Sequence, residues 1–207
     1  MNEKRLFLSS SFRDVAILLE SFESDFKEKR VTFIPTASLV ERVTFYVKSG
    51  KKALQELGMV IDELEVSTST YDEIVGTLKR NDIIYVTGGN TFFLLQELKK
   101  CGADKIIRDE VYAGKLYIGE SAGSIIASPD IEYVKALDSI KKAPELSSFE
   151  GLGLVDFYPV PHHTNAPFKK AVEKIINTYG SNLPLSPISN KEAIFVRDTV
   201  SITLTCE

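Results

Sequence analysis

Tryptophan is absent from the chain, and cysteine nearly so, with only Cys101 and Cys206 among 207 residues. Neither belongs to a Cys-x-x-Cys pair, which excludes a disulfide framework or a thiolate zinc site and fits a reducing compartment. Histidine occurs only twice, as the adjacent His162 and His163, so any imidazole chemistry must pass through that pair. The carboxylates lack ligand spacing around it, and no metal or organic cofactor is expected. No apolar run approaches the roughly 18–20 residues of a membrane helix. The opening MNEKRLFLSSSF turns polar too soon for a secretory signal. These gaps point to a cytoplasmic protein with no membrane partner. An excess of basic residues is missing too: 25 Lys and Arg face 29 Asp and Glu, a net charge of −4. A nucleic-acid binder is therefore excluded.

What is present is ordinary globular composition, 43% apolar and 26% charged, enough for a full core in a single domain over 1–207. Short β-rich runs alternate with helical patterns. Strands are expected at 5–10, 30–37, 60–67, 82–89 and 115–121, and helices at 15–26, 40–58, 71–79, 90–102 and 103–112. Gly58 ends one helix at the C′ position, and Asn90 starts another as its N-cap. Such alternation implies a parallel sheet with helices on both faces. Residues 129–151 lose periodicity except for a short strand at 131–134, and loops of this length often serve function. A strand at 154–163, a helix at 166–179 and closing strands at 184–207 follow, the last forming an antiparallel hairpin turned at 197–199.

Three segments carry chemistry. Gly119-Glu120-Ser121-Ala122-Gly123 is G-x-S-x-G between a strand and a helix, where the motif makes a nucleophile elbow. Small residues let the turn close, the serine projects from the C-terminal edge of the sheet, and the Ala122 amide points to a developing oxyanion. The plainer alternative is a serine N-cap with glycines for close helix–sheet contact. His162 and His163 follow the Pro-punctuated FYPVP at the end of an expected strand, and a serine nucleophile needs such a base. Their plainer alternative is loop packing. TGGN at 87–90 places a glycine pair between a strand and a helix, where exposed amides bind an anion or an oxyanion. It has neither the dinucleotide nor the Walker spacing.

IPTAS (34–38), VTGGNTFFLL (86–95), YIGESAGSIIASP (117–129) and PHHTNAPF (161–168) together resemble peptidase family S51, which includes dipeptidase E and cyanophycinase. The resemblance covers most of the chain. It implies a three-layer, doubly wound α/β fold like that of the class I glutamine amidotransferases (flavodoxin-like), with serine in place of cysteine at the elbow. It makes Ser121 the nucleophile and His162, after Pro161, the base, although Val160 stands where the family has asparagine. Gly89 and Ala122 match the oxyanion amides, and Gly88, Asn90 and His163 are the remaining candidate substrate contacts. The family's third triad member is an Asp or Glu downstream of the serine. Glu132 is preferred over Asp138, because a rigid element orients a histidine best; Asp130 is a further option.

Dipeptidase E recognises N-terminal aspartate partly through an arginine after the histidine. TNAPFKKAVEKIINTYG has none, and Lys169, Lys170 and Lys174 lack the bidentate fork of arginine. The expected activity is thus hydrolysis of short peptides, with N-terminal Asp or isoaspartyl bonds as two options. The expected partners are a short peptide and, at most, a second copy of the chain in a homodimer. An α/β-hydrolase-type esterase and a non-catalytic binding protein on the same scaffold are the alternatives.

Overall fold

A computed structural model describes residues 3–23 and 25–206. Ser24, inside the helix expected at 15–26, and Glu207, at the end of the closing strands, lie outside the described residues. In chain order the elements are β1 (Arg5–Ser9), α1 (Phe12–Phe22), β2 (Arg30–Ile34), α2 (Phe45–Glu56), β3 (Val60–Glu63) and α3 (Tyr71–Arg80). Then follow β4 (Ile83–Val86), α4 (Thr91–Cys101), α5 (Ala103–Tyr112), β5 (Leu116–Glu120) and the single turn α6 (Ala122–Ile125). The C-terminal third contains β6 (Tyr158–Val160), α7 (Lys169–Tyr179), β7 (Leu185–Pro187), β8 (Glu192–Arg197) and β9 (Val200–Thr205).

Seven strands form one sheet in the order β3-β2-β4-β5-β1-β8-β9. The first five run parallel, while β8 pairs antiparallel with β1 and β9 antiparallel with β8. The alternation of side chains explains the layers. From β4, Ile83 and Tyr85 pack with Phe7, Phe12, Phe33, Leu54 and Phe195 on the α1–α2 side. Ile84 and Val86 pack with Leu78, Leu95, Ile107 and Ile125 on the side of α3 to α6. Both faces are therefore apolar, as a doubly wound sheet requires. The expected C-terminal hairpin is present, turned at Asp198–Thr199.

Helix ends follow local chemistry. Asn90 caps α4, its Oδ1 accepting the Phe93 N–H at 3.0 Å, and Gly58 follows α2 with φ +83°. α2 begins at Phe45 rather than near residue 40, because Thr36–Ser38 forms a 3₁₀ turn after Pro35. The strand expected at 131–134 is instead a 3₁₀ helix, Glu132–Ala136. Tyr133 and Val134 are buried as neighbours there, whereas alternation would have exposed one of them. A smaller parallel pair, β6 with β7, stands apart from the main sheet.

Candidate active site

β4 and β5 are adjacent parallel strands, so their C-terminal ends bring Gly88-Gly89 and Ser121 together at one edge of the sheet. Ser121 sits at φ +49°, ψ −106°, outside the regions open to most side chains. The fold holds it there from several directions. Its N–H donates to the Ser9 carbonyl at 2.9 Å, and its carbonyl accepts from Ser124 and Ile125. The Ser124 hydroxyl in turn bonds the carbonyls of Ser9 (2.8 Å) and Gly119 (2.9 Å). Gly123 permits this turn, since a Cβ there would lie 2.2 Å from the Val86 carbonyl oxygen.

His162 reaches the same point from outside the main sheet, after β6, with φ +64°. Its N–H donates to Ser10 Oγ at 2.9 Å, and that hydroxyl donates to the Ile188 carbonyl at 3.0 Å. Ser9 and Ser10 thus place the elbow and the histidine from consecutive positions at the end of β1. The imidazole Nε2 lies 2.9 Å from Ser121 Oγ, and Nδ1 lies 2.9 Å from Asn190 Oδ1. Asn190 is held by its own N–H, which donates to Asn165 Oδ1 at 2.9 Å. Phe168 stacks on the imidazole with centroids 4.5 Å apart. Burial holds His162 below the ordinary imidazole range, and the Asn190 hydrogen bond opposes that only partly. The neutral tautomer able to accept the Ser121 proton at Nε2 carries its hydrogen on Nδ1, pointing at the Asn190 oxygen.

The expected carboxylate partner of His162 is corrected by this geometry, for neither Glu132 nor Asp138 is at Nδ1. Glu132 is exposed and pairs with Lys135 at 2.6 Å. Asp138 caps α4, accepting the Thr91 N–H at 2.8 Å and its hydroxyl at 2.5 Å, where the helix dipole favours an anion. Desolvation nevertheless pushes Asp138 up to about 6, with the Thr91 hydrogen bonds acting against it. Asp130 accepts the Glu132 N–H and is likewise elsewhere. Asn190 was invisible to a search for acidic residues, and only the return of β7 beside β6 brings it to the histidine.

Gly89 adopts φ +135°, and a Cβ on it would fall 2.2 Å from the Ala37 carbonyl oxygen. Its N–H is not among the amides bonded elsewhere in the described residues. The Ala122 N–H opens α6 and has no acceptor within the helix. A Cβ on Gly88 would lie 3.2 Å from that of Ser121, so this turn and the elbow are in contact. Asn90 is buried, with one end of its amide capping α4 and the other donating to the Ser139 carbonyl at 3.2 Å. Both ends serve the fold rather than a substrate. His163 is half-buried, and its N–H donates to the Ile188 carbonyl at 2.9 Å. Lys169, Lys170 and Lys174 lie on the exposed face of α7. Among the described residues no group of three His, Cys, Asp or Glu side chains is placed to hold a metal ion. Nor is any helix among them long and apolar enough to cross a membrane.

The profile of Peptidase family S51 matches residues 6–204. The chain is 58% identical over 200 residues to an uncharacterized peptidase of Listeria innocua, covering 97% of this chain and 96% of that one. It is 36% identical over 138 residues to a Peptidase E of Nostoc, covering 67% of this chain and 54% of that protein. Among solved structures, a candidate Peptidase E from Listeria monocytogenes superposes with a TM-score of 0.95 at 55% identity, covering 99% of this chain and all of that one.

Proposed function

The chain belongs to peptidase family S51, and from that premise we propose that it hydrolyses short peptides with Ser121 as nucleophile. His162 takes the Ser121 proton at Nε2 as Oγ attacks the scissile carbonyl, then returns it to the departing amine. Asn190 fixes the imidazole tautomer and orientation through Nδ1. The amides of Gly89 and Ala122 receive the oxyanion, each such donor contributing about 3–4 kcal/mol to the transition state. The observation that carries the reading is the unbroken line from Ser121 Oγ through both imidazole nitrogens to Asn190 Oδ1, each contact 2.9 Å.

The third group in this line is a neutral amide. It orients the imidazole but offers a dipole, not a charge, to the imidazolium that forms during attack. Slow turnover relative to a carboxylate-backed triad is the consequence. The segment after the histidines, TNAPFKKAVEKIINTYG (164–180), supplies no guanidinium, so we assign the substrate class as short peptides without a requirement for N-terminal aspartate. A panel of Asp-X, neutral X-Y and β-aspartyl dipeptides, assayed with the wild type and Ser121→Ala, tests this. Cleavage of neutral dipeptides that disappears in Ser121→Ala is expected. No cleavage of any member, or equal cleavage by the variant, overturns it.

A further inference from the structure

The glycine turn beside Ser121 is anchored at both ends but not in the middle. The Thr87 N–H donates to the Ile34 carbonyl at 3.1 Å, and the Asn90 N–H donates to the Ala37 carbonyl at 2.9 Å. The segment after β2 thus holds the turn on either side. The Gly88–Gly89 peptide lies between these anchors, and neither its carbonyl nor its N–H is among the backbone–backbone hydrogen bonds of the described residues. Side-chain bulk cannot fix this peptide instead. A Cβ on Gly89 would collide with the Ala37 carbonyl oxygen, and one on Gly88 would press on the Cβ of Ser121. A pair of residues without Cβ can turn its shared peptide over at little steric cost.

One side chain supplies the missing anchor. The Thr87 hydroxyl donates to the Gly88 carbonyl at 3.0 Å. That carbonyl and the Gly89 N–H belong to one planar unit, and in a trans peptide they point in opposite directions. Thr87 is fully buried, directly after β4. A carbonyl turned toward its hydroxyl therefore sends the Gly89 N–H the other way, out of the interior. Reversal of the peptide would carry φ of Gly89 from +135° into the negative range and present a carbonyl where the N–H stood. We propose that Thr87 is a positioning residue for the oxyanion hole: its hydroxyl fixes the Gly88 carbonyl and so aims the Gly89 N–H at the substrate carbonyl. This rests on the reading of Ser121 as nucleophile and Gly89 as a receiving amide.

A hydroxyl buried at this depth needs an acceptor, and a merely structural threonine would use the nearest one. The two roles differ in what the loss of the hydroxyl costs. A structural role costs stability alone, whereas a positioning role costs transition-state binding. The hole meets its full charge only in the transition state, so kcat falls while KM holds. Valine keeps the branched shape of Thr87 without the hydroxyl, and serine keeps the hydroxyl without the methyl. Unlike replacement of a glycine, neither change adds a heavy atom to the crowded turn.

The test compares fluorophosphonate labelling of Ser121 in the full-length wild type, Thr87→Ser and Thr87→Val. Labelling is expected to slow by about 10- to 100-fold in Thr87→Val and by no more than about threefold in Thr87→Ser, because misdirecting a hole donor forfeits much of its effect on rate. With a dipeptide that the wild type cleaves, kcat should fall by the same factor in Thr87→Val while KM stays put. The Gly88 carbonyl ¹³C resonance reads the hydrogen bond without requiring activity. It should move in Thr87→Val and stay close to the wild type in Thr87→Ser. If Thr87→Val does not fold, Thr87→Ala serves with the same readouts. Equal labelling of wild type and Thr87→Val, or equal slowing in both variants, overturns the proposal and leaves the nucleophile in place. So does a Gly88 carbonyl resonance that is unmoved in Thr87→Val. Failure of wild-type Ser121 to label at any pH would instead sink the nucleophile reading, and the assignment of Thr87 with it.

Discussion

The two halves of the site are built by different means. The elbow half, Gly88-Gly89 and Gly119–Gly123, grows out of two central strands and is fixed by backbone contact, buried apolar packing and glycines that admit no Cβ. The imidazole half, His162, Asn165, Phe168 and Asn190, stands on loops around the small β6–β7 pair and is fixed by side-chain hydrogen bonds. Changes in the first half should therefore damage the fold, whereas changes in the second should damage chemistry while the fold persists.

The sharpest contrast is His162→Ala. Fluorophosphonate labelling should slow by about 10³-fold or more, roughly 4 kcal/mol, because on the proposed reading only the amides of Gly89 and Ala122 remain to assist. Its thermal midpoint should move by no more than about 2 °C, since the imidazole carries none of the main sheet's packing. A collapse of stability in this variant would erase the distinction between the halves. On the elbow side, Gly123→Ala places a Cβ 2.2 Å from the Val86 carbonyl oxygen. Urea denaturation should show a loss of at least about 3 kcal/mol; a well-folded but inactive Gly123→Ala would contradict the comparison.

How far each half could be read from sequence follows the same division. Gly119–Gly123 and the strand–helix alternation were legible because local sterics and side-chain periodicity dictate them, and Asn90 as a cap and the 198–199 turn are local in the same way. Ser121 and His162 were found as a motif and as one of only two histidines. Asn190 was not, because PISNKEA reads as a polar turn and its role arises from a contact across 28 residues of chain. Glu132 misled because a strand was expected at 131–134, whereas Ile131, Tyr133 and Val134 are all buried and demand a tighter coil. Asp138 misled because helix capping and histidine support call for the same carboxylate.

Two smaller effects sharpen the contrast through pH. Glu120 is raised from 4.5 to about 7 in the fold, so its stabilising contribution is complete below about pH 4.5 and is lost as pH rises through 7. Chemical denaturation of Glu120→Gln against the wild type should show the variant gaining about 3 kcal/mol, relative to the wild type, between pH 4.5 and 7. A constant difference across that window would show that the buried carboxylate does not titrate there. On the imidazole side, Asn190→Asp puts an opposite charge beside Nδ1. The acid limb of the labelling rate, set by a His162 held below the ordinary 6.5, should rise by at least about one pH unit. An unmoved limb would separate Asn190 from the working histidine.

The central claim is that Ser121 is a nucleophile activated by His162. Its most direct measurement is mass-spectrometric mapping of the adduct after treatment with a fluorophosphonate, in the wild type and in His162→Ala. The account predicts a single modified site, Ser121, that is lost in the variant although its fold is intact. Modification of another residue, or labelling of Ser121 at an unchanged rate without His162, would contradict it.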